Sequence, residues 1–235
     1  MNRKLKQAIK AVLPTKVLSA IQELDRKAMS RRTELNCKAI DRIRVNVGCG
    51  SKPTKGWANL DMVVRPDVMY WDCTKGLPFR DCVVEAIYSE HFFEHLDYDA
   101  GEAEQFLREC LRCMKPRAVL RIVVPDAGAY LRLYAKGHWD DETIERRPLK
   151  KEGDKYRDTW LGCSYKTRMQ FINAVFRQRG EHKYAYDAET LILTLQDAGF
   201  CDVVETAYNV SSDPDMAQDT PSRSTESLYV EGRKP

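Results

Sequence analysis

The most constraining feature of the 235-residue sequence is an apolar run that ends in Gly-x-Gly, followed by a second that ends in an acid. The first run is Val45-Asn-Val-Gly-Cys-Gly50 and the second is Trp57-Ala-Asn-Leu-Asp61. A strand that ends in Gly-x-Gly lets a ligand approach bare backbone, because glycine has no Cβ. An acidic side chain at the tip of the neighbouring strand can accept both hydroxyls of a ribose. The pattern predicts an open α/β sheet that binds a nucleoside-containing cofactor.

The residues that follow Gly50 narrow the choice of nucleoside. A dinucleotide fingerprint needs a third glycine and a helix whose N-terminus meets the pyrophosphate. Here the third position is Pro53, and only six residues, Ser51–Gly56, separate Gly50 from the next apolar run. S-adenosylmethionine (SAM) contains no pyrophosphate and would tolerate a connection without a helix. We therefore expect SAM to bind and NAD not to bind.

At these positions and others the chain resembles class I SAM-dependent methyltransferases, and more closely the type-11-like group associated with polysaccharide biosynthesis. The order and spacing of short segments within about residues 42–235 carry the resemblance. These segments are Val45–Gly50, Gly56–Asp61, Asp72 with Leu77–Phe79, Ser89–Leu96, Lys115–Pro116, Leu120–Asp126, Gly180–Lys183, Asp187–Leu191, Ala198–Phe200 and Glu226–Glu231. After Lys-Pro the family usually has two glycines, where this chain has Arg117 and Ala118.

The resemblance implies an α/β, Rossmann-like fold with an open, mostly parallel sheet of about seven strands. Apolar runs predict these strands at residues 44–48, 57–61, 67–71, 83–89, 118–124, 201–208 and 226–232. Parallel strands normally need a dozen or more residues to cross over, so the short early connections predict shortened or absent helices on one side. An amphipathic stripe predicts a helix over 103–114, and Asp187 and Gly199 predict the ends of another.

We expect a basic helical arm over residues 1–40 and a methyltransferase-like domain over 41–235. Residues 1–32 contain nine Lys or Arg and two acids, a net charge of +7. A helix is predicted over 3–30, interrupted at Pro14, and it would cover the sheet face that short crossovers leave open. Peripheral membrane contact, a partner, and a second subunit in a homodimer are the alternative uses of this arm. Its two apolar stripes are Leu5, Ile9, Val12 and Leu13, then Val17, Leu18, Ile21 and Leu24.

Composition indicates a cytoplasmic protein, with a membrane-peripheral location as the alternative. No run of 18 apolar residues and no signal-peptide core is present. The eight cysteines are scattered, which favours reduced thiols. Cys110 and Cys113 have CxxC spacing without a second pair, so we interpret them as ordinary buried cysteines rather than a metal site. No nucleic-acid partner is expected.

The resemblance also implies which residues bind the cofactor. Gly48 and Gly50 would lie beneath it, and Asp61 would bind the ribose. Asp72 would accept a hydrogen bond from the adenine amino group, with a backbone N–H of Cys73 on the ring. The full predicted set is Gly48, Cys49, Gly50, Asp61, Met62, Asp72, Cys73 and Ser89.

Candidate catalytic residues follow the fourth and fifth predicted strands. A hydroxyl acceptor gains from a base that removes its proton, and imidazole suits this near neutral pH. His91 is the first candidate, with Glu90 or His182 as alternatives, and Asp126 would orient the acceptor. The expected acceptor is a hydroxyl of a sugar or another small molecule. Residues 136–182, a long insertion after the fifth strand, would form a lid over it, with Trp139, Trp160 or Tyr165 offering flat surfaces.

Two other classes of function stay open. His91-Phe-Phe-Glu94-His95 fits the H-x-x-E-H pattern of inverted zinc peptidases, which would make the protein a zinc hydrolase. Three observations count against this interpretation. The motif lies directly after a strand, the helical run before Asp97 is short, and no third ligand is identifiable. A non-catalytic methyltransferase-like module that binds a partner is the other alternative. Ser211–Thr225, polar and with two prolines, is predicted to be a mobile loop.

Overall fold

The computed structural model describes residues 14–139, 144 and 146–235. Its strands are β1 (Ile43–Val47), β2 (Ala58–Asp61), β3 (Met69–Tyr70), β4 (Val84–Glu90), β5 (Met114–Pro125), β6 (Leu149–Glu152), β7 (Lys155–Asp158), β8 (Ser164–Tyr165), β9 (Cys201–Glu205) and β10 (Ser227–Arg233). Its principal helices are α1 (Thr15–Lys38), α2 (Glu102–Cys113), α3 (Ala127–Ala135), α4 (Arg168–Arg177) and α5 (Ala188–Asp197).

Seven strands form one twisted sheet in the order β3-β2-β1-β4-β5-β10-β9. Neighbours are parallel from β3 to β5, whereas β10 runs antiparallel to both β5 and β9. Residues 118–124 of the central strand β5 are a nearly continuous apolar run because both faces of the strand are buried there. The strand order reverses between β1 and β4, and ligands of open α/β sheets bind beyond the carboxyl ends at such a point. The predicted α/β, Rossmann-like fold is confirmed.

The predicted shortening of crossovers on one side is also confirmed. Residues 48–57 and 62–68, which join β1 to β2 and β2 to β3, contain no α-helix. The chain turns directly after β1, and the amide of Gly48 donates a hydrogen bond to the carbonyl of Leu60 at 2.9 Å. The tips of β1 and β2 are therefore held side by side by backbone hydrogen bonds.

Helix α1 does not cover the sheet face as predicted. It begins after Pro14 and continues to Lys38, and the stripe Leu5, Ile9, Val12 and Leu13 lies outside the described residues. On the second predicted stripe, Val17, Ile21 and Leu24 are exposed, with Leu24 at 66%. Only Thr33 and Cys37 are buried, where the end of the helix packs against β3. The helix therefore touches the sheet edge through its last turns alone. No helix of the described chain has the length and apolar character needed to cross a bilayer.

Helix α2 matches its predicted stripe, with Phe106, Leu107 and Cys110 buried against the sheet. Cys113 is also fully buried, which agrees with an ordinary core role for the CxxC pair. The chain passes directly from Cys113 into β5, and Arg117 within that strand has a φ of +66°, in the left-handed region. Glycine adopts this conformation without strain, so an arginine at this position raises the backbone energy.

The described part of the insertion, residues 136–139, 144 and 146–182, packs around an apolar cluster to which Tyr130 and Leu133 of α3 also belong. Strands β6, β7 and β8 form an antiparallel sheet that packs with α4. Trp139 stacks on Tyr156 with ring centroids 4.3 Å apart, and Tyr165 is 4% exposed. These two predicted acceptor surfaces, Trp139 and Tyr165, therefore pack within the insertion. Trp160 remains exposed.

The segment 211–225 is packed rather than loose, which corrects the loop prediction. Asp219 and Thr220 are buried. The fully buried guanidinium of Arg121, on β5, lies 2.5 Å from Asp219 Oδ2 and 3.0 Å from Glu231 Oε1. A buried arginine paired with two carboxylates holds the segment against the carboxyl edge of the sheet.

Candidate cofactor and acceptor clefts

A cleft of about 710 Å³ opens at the carboxyl ends of β1, β2 and β4, and we call it the large cleft. Its walls come from the glycine-rich turn, the tip of β2, the residues after β4, and the 211–225 segment. The lining residues include Gly48, Cys49, Gly50, Lys52, Asp61, Met62, Glu90, His91, Phe92, His95, Gln218, Thr220 and Arg223. The topology thus brings together most of the residues that the sequence nominated for cofactor binding.

Gly48 and Gly50 shape the floor of the large cleft. Both have a positive φ, +66° and +52°. A Cβ at Gly48 would lie 2.5 Å from the Cβ of Phe92, so any side chain there would collide with the loop after β4. A Cβ at Gly50 would meet nothing within 4 Å and would project into open space. The turn therefore presents bare backbone to a ligand, as the sequence predicts.

Asp61 is fixed directly beside the glycine turn. Its carboxylate accepts hydrogen bonds from the amides of Gly50 and Val63, each at 2.8 Å. A carboxylate has about four acceptor sites, so two remain for hydroxyl donors of a ligand. This arrangement fits a ribose, and it offers no helix N-terminus for a pyrophosphate.

The other predicted cofactor residues are divided between two places. Cys49 and Met62 line the large cleft. Asp72 lines an adjoining groove that Met62 shares, where it bonds Thr74 and lies 3.0 Å from Lys75 Nζ. The side chains of Cys73 and Ser89 are buried and line neither space: Cys73 is 4% exposed and Ser89 is 0% exposed.

A second cleft of about 280 Å³, the small cleft, adjoins the large one. Its lining residues are Lys52, His91, Pro125, Arg147, Trp160, Leu161, Gln178, His182, Ser222, Arg223 and Glu226. It lies between the insertion and the 211–225 segment, and four residues, including His91 and Lys52, line both clefts. A molecule in the small cleft would therefore face one in the large cleft across His91.

His91 occupies this junction in an uncommon backbone conformation, with φ at +52°. Its Nε2 lies 2.9 Å from Ser227 Oγ and its Nδ1 lies 3.6 Å from Glu94 Oε1. Burial, reinforced by nearby Arg223, lowers the pKa of His91 well below 6.5. The ring is therefore neutral near pH 7, and one of its two nitrogens has a lone pair that can accept a proton, as a base requires.

Glu90 and Asp126, also nominated for catalysis, have structural partners. The Glu90 carboxylate lines the large cleft and accepts the amide of Thr220 at 2.8 Å, which fastens the 211–225 segment. Asp126 caps helix α3 by accepting the Ala129 amide at 2.9 Å, and it lines neither cleft. The structure gives Asp126 a capping role, and its contact with the acceptor stays a prediction.

The sequence interpretation missed the charged walls of the small cleft. Arg147, 4% exposed, lies 2.8 Å from Asp158 and 3.0 Å from Glu226, and its guanidinium stacks 5.0 Å from the Trp160 ring. Arg147 and Asp158 belong to no motif of the sequence, whereas Trp160 is a predicted acceptor surface and Glu226 begins the segment Glu226–Glu231. Outside the small cleft, Arg121 had the clearest sequence signal of a buried ion pair. It is a single charged residue within an apolar strand, and a buried charge needs buried partners.

Comparisons with known proteins agree with this geometry. The family model described as "Methyltransferase domain" matches residues 54–122, a range that contains Asp61, Asp72 and His91. The match supports a SAM-dependent methyltransferase of class I, with SAM as the cofactor. A search of curated proteins found no match.

Several solved methyltransferases are similar to the chain in structure. The SAM-dependent methyltransferase of Archaeoglobus fulgidus is 17% identical, with 90% of this chain and 94% of that chain covered and a TM-score of 0.46. That of Mesorhizobium loti is 14% identical, with coverages of 83% and 92% and a TM-score of 0.45. The Burkholderia thailandensis 1,6-didemethyltoxoflavin-N1-methyltransferase is 14% identical, with coverages of 97% and 89% and a TM-score of 0.43.

Proposed function

We propose that the protein transfers the methyl group of SAM to a hydroxyl of a small acceptor, and that the acceptor is a sugar. The observation that carries this proposal is the position of His91, which lines both the large cleft and the small cleft. A donor and an acceptor in adjoining clefts would meet at this residue. Methyl transfer from a sulfonium is an in-line displacement, so alignment and exclusion of water are the main tasks of the protein.

The large cleft fits the parts of SAM by chemistry. The Asp61 carboxylate suits the ribose hydroxyls, and the turn at Gly48 and Gly50 allows close backbone approach. Lys52 and Arg223 line the same cleft and would balance the carboxylate of the amino-acid moiety. When bound, SAM supplies an electrophilic methyl group. The protein contributes orientation and, on the acceptor side, a place for the departing proton.

On the acceptor side, neutral His91 is the base that we assign. Its ring would take the hydroxyl proton as the new carbon–oxygen bond forms. His182 lines the small cleft but not the large one, so it lies further from the donor. We propose that His91 acts as the base and that His182 helps to shape the small cleft.

The walls of the small cleft support a sugar. Trp160 is 41% exposed and offers a flat ring, and sugars stack on aromatic rings through their C–H faces. Arg147 and Glu226 add donors and acceptors beside that ring. A sugar acceptor would also agree with the type-11-like group associated with polysaccharide biosynthesis, in the cytoplasm.

Cofactor binding can be tested by calorimetry with SAM and S-adenosylhomocysteine. We expect micromolar affinity, about −8 kcal/mol, and no binding of NAD. Asp61→Ala should weaken binding by about 1–3 kcal/mol because charged hydrogen bonds to the ribose are lost. Asp67→Asn is the matched control, since Asp67 is exposed on the same connection and asparagine tolerates its positive φ of 62°. Unchanged affinity in Asp61→Ala would remove Asp61 from the site.

Methyl transfer can be tested with methyl-labelled SAM and a panel of nucleotide sugars and glycosides, with products detected by mass spectrometry. His91→Asn, which suits the left-handed backbone, should lower kcat by about 10²- to 10⁴-fold and leave SAM affinity unchanged. An unchanged kcat would exclude His91 as the base. Tight SAM binding with no labelled product from any hydroxyl acceptor would favour the non-catalytic module instead.

A further inference from the structure

Three of the four histidines in the chain converge on one buried carboxylate, that of Glu94. Glu94 Oε1 lies 3.6 Å from His91 Nδ1, 3.8 Å from His182 Nε2 and 4.0 Å from His95 Nε2. The Glu94 side chain is 2% exposed. The residues come from two segments, the turn after β4 and the end of the insertion, which are 87 positions apart between His95 and His182.

The carboxylate of Glu94 has no hydrogen-bond partner on either oxygen within the described chain. Burying a carboxylate without a partner is costly, so a native site of this kind contains a compensating proton or cation. The buried oxygen atoms are therefore aimed at a site that no other group of the described chain satisfies.

The two outer histidines present lone pairs to this site. His182 Nδ1 lies 2.8 Å from the carbonyl of Val175, and His95 Nδ1 lies 3.0 Å from the carbonyl of Glu181. A carbonyl only accepts, so each Nδ1 carries the proton and each neutral ring has its lone pair on Nε2. Two such lone pairs facing a carboxylate repel one another unless a cation lies between them. Orientation of a ring by a carbonyl on its other nitrogen is also the usual support for a metal-binding histidine.

Distances within the cluster suit a small metal ion after modest adjustment. The ligand atoms of Glu94, His95 and His182 all lie within 4.8 Å of one another. In a tetrahedral zinc site with bonds of about 2.0–2.1 Å, ligand atoms are roughly 3.3 Å apart. Rotations of the three side chains can supply this contraction. Two imidazoles and a carboxylate are donors that zinc accepts.

We propose that Glu94, His95 and His182 bind one divalent transition-metal ion of the zinc class, which ties the turn after β4 to the end of the insertion. The amide of Lys183 already donates to the Glu94 carbonyl at 2.8 Å, so the two segments lie next to each other where the ion would join them. The ion would fix the wall beside His91 at the junction of the clefts.

This site differs from the zinc hydrolase considered for His91-Glu94-His95. That motif needs two histidines on one face of an α-helix, whereas Phe93–His95 form a single 3-10 turn. His182 replaces His91 as the second imidazole, and Glu94 is a ligand rather than a base. The inference stands independently of methyl transfer, because its readout is metal binding.

The test uses the full chain, stripped with a chelator that is then removed, and titrated with Co²⁺ followed by Zn²⁺ in competition. We expect one ion per chain and a visible cobalt spectrum of nitrogen and oxygen ligands. Glu94→Gln and His182→Gln should bind at least ten- to a hundredfold more weakly. His138→Ala is the matched control, because His138 is exposed and lies outside the cluster, and it should bind like the unaltered chain.

Circular dichroism would check that each variant folds. His95→Gln keeps the test decisive if the buried variants unfold, because the His95 side chain is 31% exposed. Absence of binding by the unaltered chain would overturn the proposal and leave a proton to satisfy Glu94. A near-ultraviolet thiolate band, or unchanged affinity in both His95→Gln and His182→Gln, would place the ion on cysteines or elsewhere and overturn it equally.

Discussion

The large and small clefts adjoin each other but are built in different ways. The large cleft takes its floor from neighbouring parts of the chain, the turn at 48–54 and the tip of β2, and its main features are backbone geometry and Asp61. The small cleft is assembled from side chains of distant segments, with Arg147 and Trp160 from the insertion facing Glu226. A local motif can therefore specify the proposed cofactor site, whereas the proposed acceptor site depends on contacts that form only when remote segments pack.

Each cleft is closed by a segment that a buried arginine holds in place. Arg121 joins the 211–225 segment to the sheet through Asp219, and Arg147 joins the insertion to Glu226, the residue directly before β10. Removing one partner of a buried ion pair leaves an uncompensated charge. Substitution of Arg121 should therefore disturb the large cleft, and substitution of Arg147 should disturb the small cleft.

The largest effect is expected for Arg121→Met. The substitution leaves Asp219 and Glu231 buried without their cation, and we expect the free energy of unfolding to fall by about 3–5 kcal/mol. Urea denaturation measures this loss. Arg108→Ala is the control, since Arg108 pairs with Glu104 on the exposed face of α2 and should cost about 0.5 kcal/mol or less. Equal losses of unfolding free energy in the two variants would show that the buried ion pairs of Arg121 stabilise the fold no more than an exposed ion pair does.

A smaller and more selective effect is expected for Arg147→Met. It leaves the buried carboxylates of Asp158 and Glu226 without their cation, and Glu226 lines the small cleft, so kcat/KM for the acceptor should fall about 100-fold, or 2.7 kcal/mol. SAM affinity, measured by calorimetry, should change by less than about threefold because Arg147 does not line the large cleft. Arg157→Ala, on the exposed face of β7, is the matched control. A comparable loss of SAM binding would mean that the two clefts are not separable.

The smallest effect is expected on helix α1, outside both clefts. Ile21→Ser should change the free energy of unfolding by no more than about 0.5 kcal/mol, because the side chain is already 42% exposed. Cys37→Ser, at the buried end of the same helix, should cost about 1–3 kcal/mol through burial of a hydroxyl. Thermal unfolding of the two variants compares them directly. A large loss in Ile21→Ser would indicate that the arm is covered by another surface.

Wrong predictions share a physical cause. Amphipathic spacing indicated that Val17, Ile21 and Leu24 form a stripe, but periodicity does not say whether a surface exists for that stripe to meet. Trp139 and Tyr165 stand out by composition, and they stabilise the small core of the insertion.

The sequence alone determined the strand succession, the glycine turn, the acid at the tip of β2 and the histidine after β4, because each depends on residues close together in the chain. Tertiary structure decided the rest. It placed His182 beside Glu94, Arg147 beside Glu226, and the 211–225 segment over the large cleft. These contacts join positions 79 or more residues apart, and no local pattern encodes them. They form because a buried charge must find its partner wherever the fold brings one within reach.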